Sequence, residues 1–275
     1  MITDWKNAWQ RSSEDFPKLK SESVFIVGNG PSLNQHDLEL LVGIPSFAAN
    51  AIYLIFERTK WRPDFYSCVD TVVLPNRKEE ISHWIDRLVD TWFFFPKEIF
   101  THDCIEVPVS VQNFIRPRPN VVFFKTHPLD LKGSQENIFG LPNDDFIVEP
   151  MTVTITLMQL AVKLGAKRMF MIGCDTNYEI PKTARVLDEE DNRVDKRIVL
   201  DEDNDPNHFD PRYFGKGKLW HTPNTNLMIQ HYQKAYEICL ANDIEIYNAG
   251  YGGKLEVFPR IRFEDASKLC KDRIH

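Results

Sequence analysis

The sequence predicts an α/β protein in which helices flank a mainly parallel sheet and one long insertion forms a lid. Short apolar runs alternate with stretches of helical periodicity, which is the pattern of βαβ units. The run RMFMIGCD at 168–175 is almost continuously apolar, as in a sheet covered on both faces. Residues 179–218 are highly charged without a long apolar stretch, which indicates a lid or, alternatively, a mobile surface insertion. We therefore predict a single Rossmann-like domain, residues 1–275, with a lid at residues 179–218.

The predicted elements follow one another in a regular order along the chain. Gly165 is placed to end the helix that precedes RMFMIGCD. The strands and helices are, in order, VFIVG and SLNQHDLELLVG; PSFAAN and AIYLIFERTK; DFYSCVD and NRKEEISHWIDRLVD; the strands TWFFFP and VVFFKT; the helix TVTITLMQLAVKLGA and the strand RMFMIGCD; and the helix PNTNLMIQHYQKAYEICLAND and the strand IEIYNAG.

Composition narrows the class of protein. The net charge of −7 argues against nucleic acid as the main partner. No apolar run approaches the ~20 residues that a membrane span requires, and the first residues lack the apolar core of a signal peptide. The five cysteines form no C-x-x-C pair, which gives no zinc or redox signal. We expect a cytoplasmic protein.

A glycine turn follows the first predicted strand. Gly28, Asn29, Gly30, Pro31 and Ser32 lie between that strand and a predicted helix, where backbone amides and the helix dipole favour an anion such as a phosphate. The pattern is neither G-x-G-x-x-G nor a Walker motif, so the sequence does not support a dinucleotide or Walker-type ATP site. A tight turn without a ligand is the alternative.

Two polar residues follow the next strands. Asn50 ends the second predicted strand and Asp70 ends the third, so both are expected at the carboxyl edge of the sheet. Asn50 is suited to contact a base or sugar, and Asp70 to hold a ribose hydroxyl or a metal. Either residue could instead cap a helix.

Further candidate residues follow the run RMFMIGCD. Asp175 and Tyr178 lie at the end of that strand, where a tyrosine hydroxyl can stabilise charge on a leaving phosphate. His221 precedes Thr222 and Pro223, which we expect to be the N-cap and first residue of a helix. A helix N-terminus keeps an imidazole neutral, as a general base requires. An exposed histidine without a catalytic role is the alternative.

The stretch DEDND at 201–205 resembles a cation motif. As a calcium loop it fails, because Pro206 stands where glycine is required and Arg212 where the closing glutamate should be. We therefore interpret it as a solvated acidic loop.

Five segments, in the same order, resemble the MptE-like family over residues 22–265. They are VGNGPSL, AANAIYLIF, RPDFYSCVD, TVTITLMQLAVKLGAKRMFMIGCDTNY and IEIYNAGYGGKLEVFPRIRF. That family includes pterin diphosphokinases and the glycosyltransferase-like domain of flagellar motility accessory factors. Its fold is similar to that of the bacterial lipooligosaccharide sialyltransferases, which also open with a strand and G-N-G-P-S-L.

The resemblance to the sialyltransferases implies roles for individual residues. Gly28 to Ser32 and Asn50 would hold the nucleotide and phosphate of a CMP-sugar. Thr152 to Thr154 would lie near the cytidine, although the serine-glycine pair of the sialyltransferases is missing here. Asp175 would contact the ribose or base, Tyr178 and Tyr213 would bind the departing phosphate, and His221 would take the proton from the acceptor hydroxyl.

The resulting expectation is a glycosyltransferase that moves a sugar, expected to be CMP-linked and acidic, from a nucleotide donor to a glycan acceptor in bacterial surface polysaccharide or glycoconjugate synthesis. Its chemistry would need no metal. Asp70 departs from the sialyltransferase pattern and matches the MptE-like side, which keeps a metal open. Peripheral membrane association and homo-oligomer formation also stay open.

Two other functions are open. A Mg²⁺-dependent 6-hydroxymethylpterin diphosphokinase would use Asp70 and Asp175 as ligands, but no lysine or arginine cluster lies beside the glycine turn to hold a triphosphate. A non-catalytic nucleotide- or glycan-binding module is the other.

Overall fold

The computed structural model describes residues 17–101, 104–127, 138–141, 143–149, 151–187 and 196–272. The strands in these ranges are β1 Ser23–Val27, β2 Ser46–Ala49, β3 Phe65–Ser67, β4 Trp92–Pro96, β5 Glu98–Thr101, β6 Cys104–Ser110, β7 Val121–Phe124, β8 Thr126–His127, β9 Ile147–Val148, β10 Arg168–Ile172, β11 Ala184–Val186, β12 Arg197–Leu200, β13 Leu219–His221 and β14 Glu245–Asn248. The α-helices are α1 Val73–Asn76, α2 Lys78–Arg87, α3 Val153–Lys163, α4 Thr225–Leu240 and α5 Phe263–Lys271.

The central sheet has seven strands in the order β14-β10-β1-β2-β3-β4-β7. Every neighbouring pair in it is parallel. In chain order, β2, β3, β4 and β7 are added on one side of β1, and β10 and β14 are then added on its other side. The predicted Rossmann-like α/β fold is confirmed. Because the direction of building reverses between β1 and β10, the loops after these two strands diverge there, which is where open α/β sheets bind ligands.

Both faces of the sheet are covered, which explains the apolar run of β10. Phe170 and Ile172 of β10 enter one hydrophobic cluster together with α5 and the aromatic residues of the insertion. Met169 and Met171 enter a second cluster on the other face, with α3 and α4. The strands therefore have no polar face, as parallel sheets between two layers require.

The predicted helices after β1 and β2 are short 3-10 segments instead. They cover Pro31–Gln35, Leu38–Leu41 and Asn50–Ile55. The side chain of Asp37 accepts the N–H of Glu39 and so starts a new turn rather than continuing the previous one. Residue 50 itself has φ of 53°, which no right-handed helix contains. The glycine turn is thus followed by five 3-10 residues, whose dipole is weaker than that of a full helix.

The predicted lid is largely folded. Strands β11, β12 and β13 form a three-stranded antiparallel sheet, and residues 188–195 lie outside the described ranges. Phe209, Tyr213 and Phe214 are buried in the main core, and the Phe209 N–H donates to the Asn29 carbonyl at 3.0 Å. These residues cover the carboxyl edge of the sheet. Opening of this cover as a lid stays a prediction, as does the assignment of residues 1–275 to one domain.

The acidic stretch inside the insertion differs from the expected solvated loop. Asp201 and Asp203 are exposed, but Asp205 and Asn207 are buried.

Across the described part of the chain, no helix has the length and apolar character needed to cross a membrane.

Candidate functional site

A cleft of about 510 Å³, open to solvent, lies at the carboxyl edge of the sheet where β1 and β10 diverge. Its walls come from the loops after β1, β2 and β10, the first turn of α3, the insertion and α4. The lining residues are Asn29, Gly30, Asn50, Thr152, Val153, Thr154, Gly173, Cys174, Asp175, Thr176, Asn177, Tyr178, Asn207, His208, Tyr213, Met228 and Tyr232.

The cleft brings together eight of the residues that the sequence singled out. These are Asn29, Gly30, Asn50, Thr152, Thr154, Asp175, Tyr178 and Tyr213. The remaining candidates do not line it: Gly28, Pro31, Ser32, Asp70 and His221. The residues predicted for the nucleotide therefore largely share one site, whereas the predicted base does not line that site.

The glycine turn packs tightly against the loop after β10. A Cβ added to Gly28 would overlap the carbonyl of Gly173, and one added to Gly30 would overlap the carboxylate of Asp175. The N–H of Gly28 donates to Ile172 at 2.8 Å and that of Gly30 donates to Gly173 at 2.7 Å. The glycines are thus required for the contact between two loops. Their amides are engaged within the protein, so a ligand phosphate needs other donors.

Asp175 connects the turn to the loop after β10. Its carboxylate accepts the N–H of Ser32 at 2.8 Å and also the Ser32 hydroxyl. The Asp175 carbonyl accepts the N–H of Lys254 at 2.7 Å. The carboxylate that was expected to contact a ribose or base therefore also fixes the entrance of the cleft.

Backbone strain is concentrated at the cleft. Asn50 and Thr176 both have positive φ, at 53° and 58°. Asparagine tolerates this conformation, but a β-branched residue rarely adopts it. The Asn50 carbonyl accepts the Tyr66 hydroxyl at 2.7 Å, which helps to hold the strained residue. Strain of this kind at a cleft is a mark of a functional site.

Three tyrosines supply hydroxyl groups to the cleft: Tyr213 and Tyr232 are buried, and Tyr178 is half-buried. Burial raises the pKa of Tyr178, Tyr213 and Tyr232 above the ordinary value for tyrosine. All three hydroxyls therefore remain protonated at neutral pH and can donate hydrogen bonds to an anionic ligand. In the same cleft, the side-chain oxygen of Asn29 is buried without a hydrogen-bond partner among the described residues.

His221 forms a pair with Asp70. The distance from His221 Nε2 to Asp70 Oδ2 is 2.7 Å, and Asp70 Oδ1 accepts the N–H groups of Val72 and Val73 at 2.8 Å each. Burial alone would raise the pKa of Asp70, but the charge and hydrogen bond of His221, with the two amides, lower it to about 2.

The helix after His221 begins later than predicted. Its N-cap is Asn224, whose side chain accepts the Leu227 N–H at 3.1 Å, and α4 starts at Thr225. The prediction of Thr222 as N-cap and Pro223 as first residue was wrong. The helix thus starts two residues further from His221 than predicted, and the His221 ring is hydrogen-bonded to the Asp70 carboxylate.

A second histidine–aspartate pair lies in the cleft itself, and the sequence analysis missed it. His208 Nδ1 is 2.7 Å from Asp205 Oδ2. The His208 ring stacks on Tyr213 with centroids 3.8 Å apart and planes 1° from parallel. The spacing Asp205-x-x-His208, within an acidic segment that also contains Phe209, Tyr213 and Phe214, is the signal that could have shown it.

The described residues contain no preformed metal-binding site. No three His, Cys, Asp or Glu side chains within them lie close enough to hold an ion. Asp70 and Asp175, the expected magnesium ligands, are hydrogen-bonded to His221 and Ser32. Either carboxylate would have to exchange a partner to bind Mg²⁺.

A family described as 6-hydroxymethylpterin diphosphokinase MptE-like matches residues 2–181. The chain belongs to the MptE-like family. In this MptE-like chain the matched range includes the glycine turn, Asn50, Asp70 and the loop after β10. It ends before His208, Tyr213 and His221, so the insertion and its residues lie outside the match.

Solved structures provide one distant likeness to this MptE-like chain. The MAf glycosyltransferase from Magnetospirillum magneticum AMB-1 is 16% identical, with a TM-score of 0.47. The likeness covers 96% of this chain but 38% of that protein's chain. The chain thus spans well under half the length of that glycosyltransferase. None of the curated proteins matches this MptE-like chain in sequence.

Proposed function

We propose that this protein is a glycosyltransferase that uses a nucleotide-activated sugar, a CMP-linked acidic sugar in the first instance, and transfers the sugar to a glycan acceptor in bacterial surface polysaccharide or glycoconjugate synthesis. One observation carries the proposal. The cleft at the β1/β10 divergence gathers eight residues that the resemblance to CMP-sugar enzymes assigned independently to the nucleotide and its phosphate.

The charge of the cleft favours a donor with one phosphate. Among the described residues that line it there is no lysine or arginine, while tyrosine hydroxyls and asparagine amides are plentiful. A triphosphate is normally held by several cationic groups and a metal ion. A single phosphodiester requires fewer donors, so the lining suits a nucleoside monophosphate linked to a sugar.

In the proposed reaction the cleft binds the donor, and the His221–Asp70 pair acts on the acceptor. The bond between the sugar and the phosphate oxygen breaks, a bond from the acceptor oxygen to the sugar forms, and CMP leaves. Hydroxyls of Tyr178 and Tyr213 bind the phosphate as its charge grows. His221, oriented by Asp70, takes the acceptor proton, and no metal takes part.

The family description favours one alternative, a 6-hydroxymethylpterin diphosphokinase. This enzyme would bind ATP with Mg²⁺, using Asp70 and Asp175 as metal ligands. Both carboxylates have protein partners here, and the cleft lining contains no lysine or arginine for a triphosphate. A non-catalytic nucleotide- or glycan-binding module is a second alternative that the same experiment addresses.

The test is a thermal-shift screen of CMP, CDP, UDP, GDP and ATP, each with Mg²⁺ and with EDTA. A ligand that binds the folded state alone raises the unfolding temperature. We expect CMP to raise it equally in both conditions. A shift with ATP and Mg²⁺ alone would favour the diphosphokinase, and no shift with any nucleotide would contradict the proposal. CMP binding without turnover of CMP-linked acidic sugars, with glycan acceptors present, would favour the binding module.

A further inference from the structure

Three backbone amides of the glycine turn are engaged within the protein and are not offered to a phosphate in this cleft. The amides of Gly28 and Gly30 donate to carbonyl oxygens, and that of Ser32 donates to the Asp175 carboxylate. Asp175 also adds negative charge at the edge of the cleft. An anionic ligand therefore needs a positive or strongly polarised group elsewhere in the lining.

His208 is the side chain in the cleft lining that can carry positive charge. The other lining residues of the described chain are neutral or acidic. His208 is not part of the His221–Asp70 pair, and the reaction proposed above gives it no task.

Asp205 fixes the orientation and the tautomer of the His208 ring. Asp205 is 1% exposed, and its carboxylate accepts the N–H of Asn207 at 2.8 Å and of Phe214 at 3.0 Å, besides His208 Nδ1 at 2.7 Å. Because a carboxylate accepts hydrogen bonds, Nδ1 carries a proton, and Nε2 is the ring nitrogen that can meet a ligand. The carboxylate also places a negative charge 2.7 Å from Nδ1, beside a ring that is cationic when both of its nitrogens are protonated.

Aromatic packing holds the ring in place. His208 stacks on Tyr213 at 3.8 Å and meets the edge of Phe214 at 5.1 Å. Tyr178 lies 6.3 Å away, measured between ring centroids. Arg77 lies 5.6 Å from the Tyr213 ring centroid, and it does not line the cleft. Because the ring is already held in place, ligand binding costs little side-chain conformational entropy.

We propose that His208, as an imidazolium whose Nδ1–H is donated to Asp205, donates Nε2–H to the phosphate of the nucleotide donor, with Tyr178 and Tyr213 as neighbouring hydroxyl donors. The identity of the ligand as a nucleotide rests on the proposed function. His208 then acts on the donor, while the His221–Asp70 pair acts on the acceptor. A charge-assisted hydrogen bond of this kind strengthens as the phosphate gains charge when the sugar departs.

Calorimetric titration of the full chain with CMP and with cytidine tests this assignment. His208→Phe retains a flat ring for the Tyr213 stack and removes both nitrogens, and His208→Gln keeps an amide able to replace Nε2. His83→Phe, on the exposed face of α2, is the matched control. We expect His208→Phe to raise the Kd for CMP by ~10-fold or more, the usual loss for one charge-assisted hydrogen bond, and to leave the Kd for cytidine unchanged.

The outcomes separate this inference from the proposed function. Partial recovery of CMP binding in His208→Gln supports a hydrogen bond from Nε2, and unchanged cytidine binding shows that His208→Phe did not simply misfold. Equal weakening of CMP and cytidine, or CMP binding unchanged in His208→Phe, overturns the role of His208. If the wild-type protein binds no nucleotide, the proposed function fails. In that case the role of His208 is tested by following the NMR signal of its ring during titration with inorganic phosphate. A change in chemical shift supports anion binding by His208, and no change overturns it.

Discussion

Asp70 Oδ2 lies 2.7 Å from His221 Nε2, although the two residues are 151 positions apart in the chain. Asp70 follows β3 and His221 ends β13, so the pair joins the central sheet to the small sheet of the insertion. A carboxylate bonded to one ring nitrogen fixes the tautomer and orientation of a histidine, as in catalytic triads. The position of the insertion over the sheet is therefore coupled to the geometry of the proposed base.

Replacement of His221 tests its assignment as the base. If His221 takes the acceptor proton, His221→Ala should lower kcat by ~10²-fold or more, the common range for loss of a general base. CMP affinity should change little, because His221 does not line the cleft. Steady-state assays with a CMP-linked acidic sugar measure the first quantity and calorimetry the second. His83→Ala is the control, and an unchanged kcat in His221→Ala would remove His221 from the mechanism.

Asp70 should stabilise the fold at neutral pH and lose this effect in acid. Its pKa in the folded protein is about 2, because His221 and two amides outweigh burial, whereas an unfolded aspartate has a pKa of ~3.9. A depressed pKa means that the stabilisation is complete above about pH 4 and disappears as the pH falls through about 2. The shift corresponds to at most ~2–3 kcal/mol.

Urea unfolding of wild type and Asp70→Asn at several pH values measures this contribution. The difference in unfolding free energy between the two proteins should be largest near neutral pH and should shrink towards pH 2. The exposed Asp201→Asn serves as the control and should show a small difference at every pH. A difference between wild type and Asp70→Asn that is independent of pH would contradict the linkage.

The central sheet was predictable because its signals are local. The apolar run of β10 reports burial on both faces, and the alternation of strands and helices reports parallel pairing. Parallel strands also place all their carboxyl ends at one edge, so Asn50 and Asp175 could be assigned to one site from the sequence. The 3-10 segment at Leu38–Leu41 was not predictable in the same way, since it depends on whether Asp37 bonds to its own backbone.

The insertion was harder to interpret because its structure depends on distant contacts. The acidic residues around Asp205 indicated solvation, yet Asp205 is buried, and its carboxylate accepts the amides of Asn207 and Phe214, which follow it in the chain. Phe209 reaches the glycine turn through the carbonyl of Asn29. The Asp205-x-x-His208 spacing does not encode these contacts, and it is the fold that places His208 in the cleft.

Because the glycine turn is tightly packed, adding one methyl group at Gly30 should lower the stability of the protein. A Cβ at Gly30 would overlap the Asp175 carboxylate, so Gly30→Ala should destabilise the protein by ~1–3 kcal/mol, as overpacking usually does. Gly217→Ala is the comparison: its Cβ meets nothing within 4 Å, and the left-handed φ of 73° alone opposes it. Its cost should be about 1 kcal/mol. Thermal unfolding measures both, and a Gly30→Ala protein as stable as wild type would contradict the tight contact between the two loops.

The hydroxyl of Tyr178 is the group whose removal should separate chemistry from binding. Desolvation keeps its pKa above the ordinary value for tyrosine, so the hydroxyl is protonated at neutral pH and can donate a hydrogen bond. If it binds the departing phosphate, Tyr178→Phe should lower kcat by ~10²-fold, the usual effect of losing one donor to developing charge. The Kd for CMP should rise by much less, since the donor bond gains strength as the sugar leaves. Tyr251→Phe removes a hydroxyl that bonds to Glu264 outside the cleft, and it should leave kcat unchanged. Equal losses in kcat and CMP affinity for Tyr178→Phe would assign this hydroxyl to ground-state binding, and unchanged values for both would place the phosphate elsewhere in the cleft.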